Sequence, residues 1–298
     1  MWRGIFAGLT TPFGPDGRFD PAGHARNVEH VVEAGVHGVI ALAVMGEGPS
    51  QSNDEAQEVA TTTVRTVGGR VPVLAMVGGP NERLAAGLIE NLKDAGVDGL
   101  MVMPPYFYPL TPGEVGGYFR RTASRTSLPL MFYNSSYSGC PLTPEVIGEL
   151  LDDIPNFVAL KEGNQLQASE VIHRYGDRLD VFAARDVYIH ELVAAGGAGA
   201  TSFVAAVAPG AVVALFEAAT AGDTRRAREL QGQLNALTLL LVRRSFPAGV
   251  KAALDLVGLC GGPPRPPLMG YSGDERRAVA GALRELGVAA SAAVERRP

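Results

Sequence analysis

Only two cysteines occur in the 298 residues, Cys140 and Cys260, far apart and without CxxC spacing. That argues against a disulfide framework and a zinc site, and favours reading the thiols as buried or idle. Histidine is scarce too. None of the five stands in a metal-ligand spacing such as HExxH, and His24 and His30 fall in a helical stretch as surface or packing residues. No metal and no cofactor is expected. Positive charge is the minority sign, 26 Lys and Arg against 31 Asp and Glu, so no basic face for nucleic acid is expected. No apolar run reaches the ~18 residues of a membrane span, because Gly-rich stretches interrupt the longest ones. The first nine residues lack the long apolar region and cleavage site of a signal peptide. The expectation is a cytoplasmic protein acting on a small molecule, with no membrane and no nucleic-acid partner.

What is present is apolar material, 46% of the chain, in short runs alternating with helical patterns. Eight runs stand out, at residues 5–10, 38–44, 71–77, 99–103, 128–133, 157–160, 179–183 and 200–204. They do not alternate apolar with polar, so both faces are expected to be buried, as in a parallel sheet. Helical patterns cover 21–33, 54–66, 81–94 and 111–124, and Thr143-Pro144 opens another with a cap and a first-turn proline. Glu33-Ala-Gly-Val-His-Gly-Val recurs as Asp94-Ala-Gly-Val-Asp-Gly-Leu, and more loosely as Ala194-Ala-Gly-Gly-Ala-Gly-Ala. Each reads as a helix end, a glycine stop and entry into the next strand. Eight strands separated by helices favour an α/β fold closed as a (β/α)8 TIM barrel. The barrel is assigned to 1–222. Helical patterns at 224–243, 247–257 and 273–292 make 223–298 a C-terminal extension packed on it.

In such a barrel, chemistry sits at the C-terminal ends of the strands. Lys161 ends the sixth run. The chain has three lysines against twenty-three arginines, so a strand-end lysine suggests a task that arginine cannot perform. A desolvated amine attacks carbonyls to form an imine. The competing reading is a salt bridge from Lys161 to its neighbour Glu162. Tyr133 ends the preceding strand and should share the rim with Lys161, where a phenol can pass protons. Gly46-Glu47-Gly48 could offer backbone N–H groups to an anion, which alone is a weak pattern.

These residues resemble the dihydrodipicolinate synthase / N-acetylneuraminate lyase family of class I, Schiff-base aldolases. The resemblance runs through Gly8-Leu-Thr-Thr-Pro-Phe, Gly46-Glu47, Pro104-Pro105-Tyr106, Phe132-Tyr133-Asn134 and Leu160-Lys161-Glu162. It continues through Gly196-Gly-Ala-Gly-Ala-Thr-Ser, Val250-Lys251 and Arg265-Pro-Pro-Leu. It implies Lys161 as the Schiff-base lysine and Tyr133 as the proton-transfer residue. It also implies carboxylate binding by the turn at Val44 and Met45, and assembly as a homotetramer or homodimer. Tyr106, Phe107, Ser138 and Phe203 complete the expected substrate-binding set.

The departures narrow the activity. The family turn carries two hydroxyls where this chain has Val44 and Met45. Each lost donor costs ~0.5–1.5 kcal/mol of a carboxylate contact. Val44 and Phe107 also stand where the synthase has the threonine and second tyrosine of a proton relay. No arginine follows the Tyr-Asn motif, where the chain reads Ser135-Ser136-Tyr137-Ser138. Dihydrodipicolinate synthesis and sialic acid cleavage are thus disfavoured. The leading expectation is a lyase or aldolase acting on a 2-oxo acid, with a pyruvate-type donor and an atypical, more apolar pocket. The alternatives are a dehydratase for 2-oxo-3-deoxy acids on the same imine chemistry, and a non-catalytic binding or regulatory relative.

Overall fold

Each strand must hide two apolar faces, and the fold does this by closing the sheet on itself. The computed structural model describes residues 2–135 and 140–289. Its strands are β1 (Gly4–Gly8), β2 (Gly38–Ala41), β3 (Val73–Val77), β4 (Gly99–Val102), β5 (Leu130–Asn134), β6 (Phe157–Glu162), β7 (Asp180–Ala183) and β8 (Gly199–Ser202). They pair in parallel and in chain order, and β8 returns to β1 to complete the barrel. Residues then alternate between the two faces with period two. Ile5, Ala7, Val39 and Ala41 pack outward against the helices. Phe6, Ile40, Leu74, Met101, Met131 and Phe182 fill the interior, with Phe6 and Phe182 edge to face at 5.4 Å.

Helices α1 (Pro21–Glu33), α2 (Asn53–Val67), α3 (Glu82–Asp94), α4 (Pro112–Ala123), α5 (Pro144–Asp153), α6 (Gln165–Tyr175), α7 (Ile189–Ala194) and α8 (Pro209–Thr220) follow the strands in turn. Their starts are chemically defined. Ser52 with Glu55, and Thr111 with Glu114, form reciprocal capping boxes. The three repeated phrases end helices α1, α3 and α7 with Gly35, Gly96 and Gly196 at φ +85°, +80° and +97°. That left-handed backbone is what a helix-stopping glycine provides.

The strand ends differ from the apolar runs in two places that matter. β2 stops at Ala41 although the run continues to Val44, because Leu42 turns left-handed at φ 61°. β6 continues through Lys161 and Glu162, held in register between β5 and β7. Two helices, α6 and α7, stand where the sequence reading delimits none, and α7 is too short for periodicity to show.

After α8 come α9 (Thr224–Leu241), α10 (Phe246–Leu256) and α11 (Gly273–Glu285). Helix α9 packs on α7 and α8, α11 on α9 and α10, and α10 on the turn that follows β2. No helix among the described residues is long and apolar enough to cross a membrane.

Candidate active site

Strand alternation determines which side chains meet inside the barrel. Tyr133 and Lys161 are register partners on β5 and β6, and Lys161 faces Phe182 on β7. The Lys161 Nζ lies 4.1 Å from the centre of the Tyr133 ring. Glu162, next in sequence, points to the opposite face. There it accepts hydrogen bonds from Asn134 Nδ2 (3.0 Å), Gln167 Nε2 (3.0 Å) and the Asn164 N–H (2.5 Å). The salt bridge from Lys161 to Glu162 is therefore not made.

Burial without a carboxylate partner pulls the Lys161 amine down to about 8, against the attraction of nearby Asp186. Roughly a tenth of such an amine is neutral at pH 7, hundreds of times more than for a free lysine. Asp186 is buried, and burial pushes its carboxyl up to about 6. It accepts from the Ser202 hydroxyl and from the Phe203 N–H at 3.2 Å, which opposes that rise. Burial also raises the Tyr133 phenol, countered by a hydrogen bond with Ser135 and by the positive charge of Arg185.

The turn after β2 forms one wall. Val44–Gly46 makes a single tight helical turn, closed by bonds from Gly46 N–H to Ala43 O (2.9 Å) and from Glu47 N–H to Val44 O (3.2 Å). Gly48 N–H also donates to Ala43 O, at 3.3 Å. The Gly46-Glu47-Gly48 amides are therefore already bonded and cannot serve an anion. The N–H groups of Val44 and Met45 at the head of the turn have no acceptor among the described residues.

Glu47 anchors this wall rather than reacting. It sits at φ 54°, and its carboxylate pairs with the buried Lys251 of α10 at 2.5 Å and accepts from the Arg265 N–H at 2.8 Å. Lys251 also donates to Pro263 O at 3.0 Å. Thr11 and Gln51 both donate to Gly46 O, at 2.7 and 2.8 Å. A side chain at Gly48 would meet Leu42 O at 1.9 Å, so only glycine permits this crossing.

Lys161, Tyr133, Val44, Met45 and Phe203 line one cavity of about 360 Å³. Tyr106 lines a different one, of about 330 Å³, with Gly78, Gly79 and Leu84. Phe107 lines neither. Its left-handed backbone, φ 92°, turns the ring outward so that it is 84% exposed, edge to face with Tyr108. Phe107 is thus turned away from Lys161, whereas Tyr106 packs against the barrel-interior cluster that contains Tyr133. Ser138 and Tyr137 lie outside the described residues. Sequence reasoning did not single out Ser135, Arg185, Asp186 or Arg244. Arg185-Asp186, a charged pair directly after the seventh apolar run, is the signal that could have found two of them. Among the described residues, no group of three or more His, Cys, Asp or Glu could hold a metal ion.

The model of the dihydrodipicolinate synthetase family matches residues 1–286. The chain is similar to a 4-hydroxy-tetrahydrodipicolinate synthase of Methanopyrus kandleri, 33% identical over 290 residues, 96% of this chain and 97% of the relative. It is also 35% identical to an uncharacterised DapA-like lyase of Halobacterium salinarum over 293 residues, 96% of this chain and 94% of the relative. Among solved structures, a dihydrodipicolinate synthase from Aquifex aeolicus superposes with TM-score 0.92 at 28% identity, covering 98% of this chain and 100% of that one. The prophage protein YagE from E. coli, of the dihydrodipicolinic acid synthase family and in complex with pyruvate, gives TM-score 0.91 at 26% identity. It covers 97% of this chain and 99% of its own.

Proposed function

The chain belongs to the dihydrodipicolinate synthetase family and is a class I aldolase-type lyase, and on that premise we propose that its imine forms between Lys161 and a 2-oxo acid of the pyruvate type. One observation carries the reading. Lys161 presents a desolvated amine over the Tyr133 ring, 4.1 Å from its centre, with no carboxylate bonded to it. A lysine whose neutral fraction is raised in this way is suited to nucleophilic attack. The pyruvate held by YagE, a structural neighbour, supports the substrate class.

The reaction follows from the groups in the cavity. The neutral amine attacks the C2 carbonyl, whose oxygen takes up a proton to give a carbinolamine. Loss of water leaves the protonated imine, which draws electrons from the C3–C4 bond or a C3–H bond. Cleavage at C3–C4 releases the second fragment as a carbonyl compound and leaves an enamine. Protonation of the enamine at C3 and hydrolysis return the amine and the 2-oxo acid. In the reverse sense the enamine adds to an aldehyde. In this reading Tyr133 carries the protons, with Ser135 as its hydrogen-bonding neighbour, because Val44 and Phe107 offer no hydroxyl for a relay. The free N–H groups of Val44 and Met45 suit the C1 carboxylate. Val44, Met45, Phe203 and Phe246 give the cavity an apolar wall, which supports a second fragment less polar than a sugar.

The test is borohydride reduction in the presence of pyruvate, followed by peptide mass analysis. A pyruvyl adduct on Lys161 is the expected result. Failure of every 2-oxo acid to give an adduct on folded protein would sink the proposal. Products of turnover then separate bond cleavage, which releases a smaller 2-oxo acid, from dehydration, which retains all carbons.

A further inference from the structure

The chain as a whole is acidic, with net charge −5. Its cavity is not. Among the described residues the lining contains three cationic side chains, Lys161, Arg185 and Arg244, and no aspartate or glutamate. Composition alone would favour the opposite sign, so the local charge is a property of the site. One 2-oxo carboxylate accounts for part of it, held at the Val44–Met45 turn. The imine lysine accounts for another. The arginines are left over.

They are not equivalent. Arg244 is joined to Glu275 at 2.9 Å. Arg185 is exposed to the cavity and has no carboxylate within ion-pair distance among the described residues. Its sequence neighbour Asp186 does not neutralise it, because that carboxylate turns inward to Ser202 and Phe203. The backbone that carries Arg185 is pinned on both sides. Ala184 N–H donates to Glu162 O at 3.2 Å, and Tyr188 N–H donates to Arg185 O at 3.1 Å. A side chain on a held backbone, aimed into a cavity and lacking an anion, is suited to supply a bidentate contact to one.

Position identifies which part of a substrate it meets. Lys161 is level with Phe182 across β6 and β7. Arg185 stands two residues beyond Ala183, the last residue of β7, on the loop that edges the cavity, where its charge is felt at the Tyr133 phenol. It therefore faces the end of the substrate that projects from the imine toward the cavity mouth. Resting on the imine reading above, we propose that the substrate carries a second carboxylate at that end and that Arg185 binds it. A single unpaired guanidinium matches the two oxygens of a carboxylate. A terminal phosphate would call on more donors than Arg185 offers while Glu275 holds Arg244. Between the two anionic ends lies the apolar wall of Val187, Phe203, Leu239 and Phe246. The class is thus a 2-oxo acid with a second, distal carboxylate and an apolar middle.

The test measures half-saturation for borohydride trapping on Lys161 with three 2-oxo acids of equal length. The probes are 2-oxoglutarate, 2-oxopentanoate, and the analogue ending in a phosphonate; pyruvate is run beside them. 2-Oxoglutarate should half-saturate about tenfold or more below 2-oxopentanoate, the range of a hydrogen bond to a charged group. Arg185→Gln should bring that ratio close to one, and Arg185→Lys should leave part of it. Because the readout is a ratio, a general loss of trapping in a variant does not imitate the result. Equal half-saturation in the unmodified protein, or a preference that survives Arg185→Gln, overturns the inference. A stronger preference for the phosphonate overturns the choice of carboxylate. If pyruvate is trapped while the ratio is one, the imine reading stands and only this inference fails. If no 2-oxo acid is trapped, both fall.

Discussion

Two lysines of this protein lose their water, and they are treated in opposite ways. Lys251, on α10, is buried against Glu47 at 2.5 Å, donates to Pro263 O, and lies 4.4 Å from the centre of the Phe13 ring. Lys161, on β6, has the Tyr133 ring at 4.1 Å and no bonded carboxylate. Both amines are shifted down by burial. At Lys251 a paired anion and a carbonyl compensate the buried charge, and the pair ties the C-terminal helices to the turn after β2. At Lys161 that compensation is withheld, and the amine becomes neutral enough to attack carbon. The difference shows how one fold separates a structural cation from a reactive one: by whether an anion is bonded directly to it.

The same substitution at both positions should break the comparison open. Lys161→Met should abolish borohydride adducts and lower turnover by about a thousandfold or more, the scale of losing a covalent nucleophile. It should also raise the thermal midpoint, because it removes a desolvated amine that lacks a bonded anion. Lys251→Met should do the reverse. It leaves Glu47 buried without its partner, at a cost of about 3–5 kcal/mol. The double change Lys251→Met with Glu47→Leu should recover most of that loss, because the uncompensated charge is gone. Thermal or denaturant unfolding measures each effect. A Lys161→Met protein less stable than the parent would show that the site is not held under electrostatic strain.

A smaller effect sharpens the contrast by pH. The Lys161 amine must be unprotonated to react, and its protonation midpoint is lowered to about 8. The trapping rate should therefore climb about tenfold per unit below that value and level off above it. Asp186 opposes the lowering by favouring the ammonium form. Asp186→Asn should thus move the midpoint to lower pH. It should cost some stability too, as the Ser202 and Phe203 donors lose a charged acceptor. An unmoved midpoint would exclude Asp186 from setting the amine's charge.

Much of the architecture was legible without coordinates. Helix α1 has the bounds that its periodicity indicated, residues 21–33. The three glycine phrases became three left-handed helix ends. The meeting of Lys161 with Tyr133 was also readable, because consecutive parallel strands place their ends side by side. Other features resisted. Phe107 resembled a pocket residue by its place in a motif, yet its positive φ turns it away from the cavity. Gly46-Glu47-Gly48 looked like an anion nest, yet the turn's own carbonyls take up its amides. Arg185 drew no reading from the sequence at all.

The sequence by itself determined the βα repeat, the helix stops and the inward direction of Lys161. These depend on local backbone preference and on a period of two along a strand. Only the tertiary structure decided that Glu47 meets Lys251, that Asp186 turns to Ser202 and that Arg185 lines the cavity with no carboxylate paired to it among the described residues. Such pairings join residues that closure of the barrel and packing of the last helices bring together, and no spacing along the chain encodes the distance between them.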